Sequence, residues 1–167
     1  MPVAALRKDI SLELNQGPSA LLALLSERLK ATPDYLLFTV LAPNEQGDRL
    51  DRLYSTNLDQ YPLGPADVVK DDIWFRRLFV EKLPIVANSL DEIAAWLPDY
   101  RIFIEQGYAS LLNMPIVFAG ETIGLINMMG DEGHFDSAAL QAIRNDLPLA
   151  ALAILGMGER PKVIRRL

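Results

Sequence analysis

Cysteine is absent from all 167 residues. That excludes a disulfide framework, thiolate catalysis, thioether attachment of a cofactor, and every cysteine-ligated zinc or iron–sulfur site. Histidine occurs once, at His134, and no serine sits in a G-x-S-x-G context, so a hydrolytic triad has no material to be built from. Gly120 and Gly124 lack the spacing of a phosphate loop and the Lys-Ser or Lys-Thr that follows one. Long apolar runs are scarce. The longest nearly apolar stretch, Leu147 to Met157, contains Pro148 and is shorter than the roughly 18 residues of a membrane span. The opening residues place Arg7, Lys8, Asp9 and Glu13 where a secretory signal needs an unbroken apolar segment. A cytoplasmic protein without a membrane partner is expected.

Positive charge is scarce in the body of the chain. The net charge is -6, but the last nine residues hold Arg160, Lys162, Arg165 and Arg166 against Glu159 alone. The preceding 158 residues therefore carry 12 bases against 21 acids, a net -9 that gives no attraction to a phosphate backbone and argues against a nucleic-acid partner. What is abundant is apolar material, half of all residues, enough for one domain with a sizeable core. The organisation expected is an N-terminal segment over 1–18, one domain over 19–156 and a basic tail over 157–167.

Ser19 to Lys30 sets Leu22, Leu25 and Leu29 on one helical face. Leu36 to Ala42 is uncharged and reads as a strand buried on both faces, followed by a turn at Gly47 and a second strand, Leu50 to Thr56. Asn57 to Lys70, with Pro62, Gly64 and Pro65, has no period and is expected to be a long loop serving as a lid. Asp71 to Lys82 reads as a helix, Ile85 to Ala87 as a short strand, and Ser89 with Glu92 as a capping box opening a helix to Leu97. Another helix, Asp99 to Gln106, closes at Gly107. Ala109 to Phe118 and Thr122 to Met129 form a tight hairpin across Gly120, and Asp136 caps a final helix that Pro148 should kink or split. This order describes an α+β domain, a mostly antiparallel sheet with helices on both faces.

Gly107, Ser110, Asn113, Pro115, Gly120, Gly124, Leu125 and Asn127, followed by Phe135 and Asp136 opening a long helix, narrow that outline. The pattern resembles the C-terminal half of a GAF domain, and more loosely the likeness extends over 19–155. Thr56, Asn57, Tyr61, Pro62, Gly64 and Trp74 resemble small free-standing bacterial GAF proteins, although Pro65 stands where those often carry a second glycine and Lys70 comes late. The resemblance implies a sensor or ligand-binding module of bacterial signalling, with its ligand between the sheet and the segment 57–107. A degenerate module that only dimerises or docks a partner is the alternative. The enzyme that the resemblance also suggests, a free methionine sulfoxide reductase, needs a cysteine, and no enzymatic activity is expected.

The ligand-binding residues expected are Tyr61, Trp74, Ile85, Asn113, Met114 and Asn127, around a small, partly aromatic or apolar molecule. No catalytic, metal or cofactor residue is assigned. Asn is disfavoured in strands, so Asn113 and Asn127 need partners that either backbone or ligand can supply, and Asn88 poses the same question. Asp131, Glu132, His134 and Asp136 could be drawn as a metal site but read more simply as a polar loop with Asp136 as a helix cap. Asp71 and Asp72 read as charges favoured by a helix start. Leu149 to Leu155 is apolar almost all round, and the first helix carries a wide leucine stripe. A homodimer through the terminal helices is expected, unless residues 2–15 fold back over them.

Overall fold

The computed structural model describes Ile10 and residues 13–158. The basic residues of the C-terminal tail and most of the N-terminal segment lie outside this range. Period-two alternation in the strands decides the architecture. In β1, Leu37–Pro43, the side chains of Phe38, Val40 and Ala42 enter one core, and those of Leu37 and Leu41 enter two others on the opposite face. An uncharged strand buried on both faces sits mid-sheet, and β1 does so. The remaining strands are β2 (Arg49–Ser55), β3 (Gly64–Val68), β4 (Ile85–Ala87), β5 (Ser110–Phe118) and β6 (Glu121–Gly130). They form one six-stranded sheet in the order β3-β2-β1-β6-β5-β4, with every pairing antiparallel.

The two long helices share one face. Leu22, Leu25 and Leu29 of α1 (Pro18–Ala31), with Ile143, Ala150, Ala153 and Ile154 of the last helix (Ser137–Leu155), cover Phe38, Val40, Leu112, Met114, Ile126 and Met128. Arg28 joins the pair by donating from both Nε and Nη2 to Asp146 Oδ1, at 3.1 and 2.5 Å. On the other face lie α2 (Ile73–Phe75), which runs into a π-helical turn at Arg76–Val80, then α3 (Leu90–Trp96) and α4 (Arg101–Glu105). The final helix is therefore α5. It is the one helix among the described residues that is long and apolar enough to cross a membrane, and its buried side belongs to the core.

Four expectations need correction. Residues 57–70 are not one long loop: after a turn closed by Tyr61 N to Asn57 O at 2.8 Å, the chain forms β3. Pro65 and Gly64 hid it, and an edge strand, paired on one side only, tolerates both. The helix expected over Asp71–Lys82 is three α residues and a π turn, whose wider pitch stacks Phe75 on Phe79 at 4.4 Å with their planes 3° apart. Of the two outcomes expected at Pro148, a split is overturned: α5 runs unbroken from Ser137 to Leu155, and the carbonyl that Pro148 deprives of a partner is that of Arg144, an exposed residue. Glu92 accepts from Asn88 N rather than from the cap residue Ser89, whose Oγ accepts from Glu92 N.

The hairpin of β5 and β6 closes as its sequence requires. Ala119 and Gly120, at φ 50° and 80°, occupy the two loop positions between the paired Phe118 and Glu121. Gly124 answers to close packing: a Cβ there would lie 2.6 Å from Ile154 Cδ1 and 2.8 Å from the Leu41 carbonyl oxygen.

Candidate functional site

The sheet face opposite the long helices is banded across its strands. Antiparallel register aligns Leu37, Met129, Leu111 and Ala87 in one transverse row, and Leu41, Leu125 and Pro115 in another. Between these apolar rows runs a polar one: Ser55, Thr39, Asn127, Asn113 and, at its β4 end, Ile85. A cavity of about 470 Å³ lies over this face. Thr39, Asn113 and Asn127 line it from the sheet, and Trp74, Phe75, Trp96 and Phe103 from the elements above.

The polar row is internally bonded. Trp74 Nε1 donates to Asn113 Oδ1 at 3.0 Å, and Asn113 Nδ2 donates to Asn127 Oδ1 at 2.7 Å. Asn127 Nδ2 reaches Thr39 Oγ1 at 3.5 Å. One line of side chains thus joins α2 to three strands. Thr39 and Asn113 are almost fully buried, whereas Asn127 is partly exposed to the cavity.

Charge enters from β2 and β3. Arg52, opposite Leu41 in register, donates from Nη1 to the Pro62 carbonyl at 2.9 Å and lies over the Tyr61 ring, 5.3 Å from its centroid. Its Nε is buried without a hydrogen-bond partner. Burial lowers the basicity of Arg52, with Asp67 and Tyr61 opposing. Asp67 presents open surface at the cavity wall yet is ringed by protein. That burial holds its carboxyl above the ordinary range, while Arg52 and Lys70 pull it down. Burial also raises the Tyr61 phenol, whose hydroxyl bonds Gln106 Oε1 and ties the turn before β3 to the end of α4.

Of the six residues expected at the site, Tyr61, Trp74, Asn113 and Asn127 line the cavity. Ile85 shares the polar row but is packed with Phe75 and Leu78, outside the lining. Met114 is a correction. Next to Asn113 in an alternating strand, its side chain points to the opposite face and packs beneath the long helices. Arg52, Asp67 and Thr39 were missed. Thr39 had a signal, as the one hydroxyl inside an apolar strand. Arg52 and Asp67 had none, because their place depends on strand register, that of β2 against β1 and that of the edge strand β3 against β2.

The other polar candidates have structural duties. Asn88 clamps Phe135, donating to its carbonyl at 3.0 Å and accepting from its N–H at 2.9 Å. Asp136 caps α5 by accepting from Ala139 N at 2.8 Å, and His134 bonds the Asp34 carbonyl through Nε2 at 3.0 Å. Asp72 caps α2 by accepting from Phe75 N, and Asp71 pairs with Arg76.

The sequence matches no family model and no curated protein. Solved structures do match it. The GAF domain/HD domain protein of Geobacter sulfurreducens aligns over 84% of this chain and 94% of its own, at 17% identity and a TM-score of 0.68. The GAF domain of an Acinetobacter phosphoenolpyruvate-protein phosphotransferase aligns over 92% of both chains, at 12% identity and a TM-score of 0.68. The type II free methionine-R-sulfoxide reductase of Thermoplasma acidophilum aligns over 87% of this chain and 94% of its own, at 13% identity and a TM-score of 0.64. The chain has the GAF fold: a six-stranded antiparallel sheet with its terminal helices on one face and a cavity on the other.

Proposed function

We propose that this domain is a non-catalytic, cytoplasmic sensor of bacterial signalling that holds a small molecule over the polar row of its sheet. The observation that carries the reading is the cavity. At about 470 Å³ it falls within the range of specific ligand sites, roughly 300–1,000 Å³, and its wall mixes aromatic side chains with a few fixed polar groups. Trp74, Tyr61, Asn113 and Asn127 are the ligand contacts proposed, with Thr39 and Arg52 added.

The likeness to GAF domains of sensor and regulatory proteins supports a signalling role. The likeness to a sulfoxide reductase does not extend to its chemistry, because the thiolate that sulfoxide reduction requires has no counterpart in a chain without cysteine. Output is proposed to pass through self-association. Leu152, 43% exposed on α5, lies on the outer side of the helix pair, where a two-fold contact would cover it.

The test is mass spectrometry of small molecules released by denaturing the purified protein, beside the Asn113→Leu variant prepared identically. Recovery of one compound from the wild type and its loss from the variant is the expected result. A protein that releases nothing, and whose thermal midpoint no compound of a broad metabolite panel raises, would refute the reading.

A further inference from the structure

We infer that the cavity's ligand is a small organic carboxylate with an apolar or aromatic body, its carboxylate seated over the Asn127–Thr39 step. The assignment rests on the ligand-binding reading above and adds the chemical class. Its origin is Trp74. An indole N–H donates and never accepts, so it turns Asn113 Oδ1 toward itself and leaves Asn113 Nδ2 facing β6. That amide donates to Asn127 Oδ1, which in turn points Asn127 Nδ2 at β1. Reversing either amide would set oxygen against oxygen or N–H against N–H, so one tryptophan orients the whole row.

The row therefore has a direction, and it ends in donors. Its first two links are 3.0 and 2.7 Å, whereas the last, Asn127 Nδ2 to Thr39 Oγ1, is 3.5 Å and nearly unmade. The Asn127 amide hydrogens are scarcely engaged. The Thr39 hydroxyl, an acceptor in this row, keeps its own hydrogen to donate. On the neighbouring strand Arg52 adds a guanidinium, which can only donate, and no carboxylate among the described residues forms an ion pair with it. Amide, hydroxyl and guanidinium together suit a planar anion with two acceptor oxygens.

The rest of the lining shapes the body of the ligand. Leu37, Leu111 and Met129 form an apolar strip beside the polar row, under Trp96 and Phe103. Three acids share the wall, and of these Asp67 is coupled to Arg52 through space without closing an ion pair with it. Asp72 is engaged by Phe75 N, Asp99 is exposed, and Asp67 sits opposite Leu50. Lys70 adds a second positive charge to the lining.

Both tryptophans of the chain line the cavity, so intrinsic fluorescence reports on its occupancy. The probes are 3-phenylpropionate and hexanoate, each beside its primary amide and its primary amine, followed by tryptophan fluorescence and thermal midpoint. The acids are expected to bind, with the amides and amines at least about tenfold weaker, the worth of one hydrogen bond to a charged group. Thr39→Val, which keeps the side-chain shape, should weaken the acids about tenfold and leave the amides within about twofold. Arg52→Gln makes the same prediction from another strand, should Thr39→Val fail to fold. Amides or amines binding as well as the acids, or acid binding indifferent to both variants, would overturn the carboxylate assignment and leave the ligand-binding reading intact. A panel in which no compound moves either signal would overturn the assignment, and an empty small-molecule extract besides would overturn both.

Discussion

Gly124 shows how much one missing methyl group decides. A Cβ there meets the flexible end of Ile154 and, less forgivingly, the backbone oxygen of Leu41. Gly124→Ala is expected to lower stability by about 1–3 kcal/mol, read as a fall in thermal midpoint. Ile154→Val in the same chain should recover only part, since the Leu41 carbonyl cannot retreat. Full recovery would show that the strand had room. The sequence places this glycine inside a strand, where glycine marks a bend or a close approach, but what approaches it depends on where α5 lands. Trp74→Phe tests the polar row. It removes the N–H that Asn113 Oδ1 accepts and should cost about 1–3 kcal/mol, the penalty of a buried acceptor left unpaired. Asp67 carries a pH signature. A carboxyl raised in the folded state contributes stability below its unfolded pKa and loses it as pH rises through the folded value. Asp67→Asn is therefore expected to melt above wild type at neutral pH, with the difference closing in acid. A gap constant with pH would contradict this.

Among the elements, α1 and α5 are joined by Arg28 and Asp146, whose side chains are 22% and 11% exposed. Removing either partner alone leaves the other's charge unpaired in a largely buried seam, so the double variant Arg28→Ala/Asp146→Ala should be destabilised by less than the sum of the two single variants. A double-mutant cycle in urea measures that coupling, and a value indistinguishable from zero would mean that the pair contributes nothing. Pro148→Ala should raise the midpoint, because it restores a backbone donor to an unbroken helix. Most elements were legible because their signals are local: Asp136, Ser89 and the Ala119–Gly120 turn act within a few residues of themselves. β3 was not, for its identity lies in its pairing with β2 and its own composition resembles a loop. The same division runs through the site. Asn113 and Asn127 stand out as polar residues in apolar strands, whereas Met114 was misplaced by one step of alternation.

For the whole molecule, the prediction is association. At 18.6 kDa per chain, sedimentation equilibrium at micromolar concentration should report twice that mass, and Leu152→Glu should return it to one chain with the fold retained. A wild-type mass of one chain would dispose of the dimer. The sheet between cavity and helices is a single layer, and its three central strands divide their residues by parity. Over 37–42, 111–116 and 125–129, odd positions such as Thr39, Asn113 and Asn127 take the cavity face and even ones such as Phe38, Leu112 and Ile126 meet the helices. Past the register shift at Ile116/Val117 the order reverses, with Ile123 on the helix-side core and Thr122 bonded to the Leu78 carbonyl. Neighbours in the chain thus answer to separate packing demands. The cavity wall could therefore be rewritten through one set of residues and the outer helical surface through another, with neither change obliging the other.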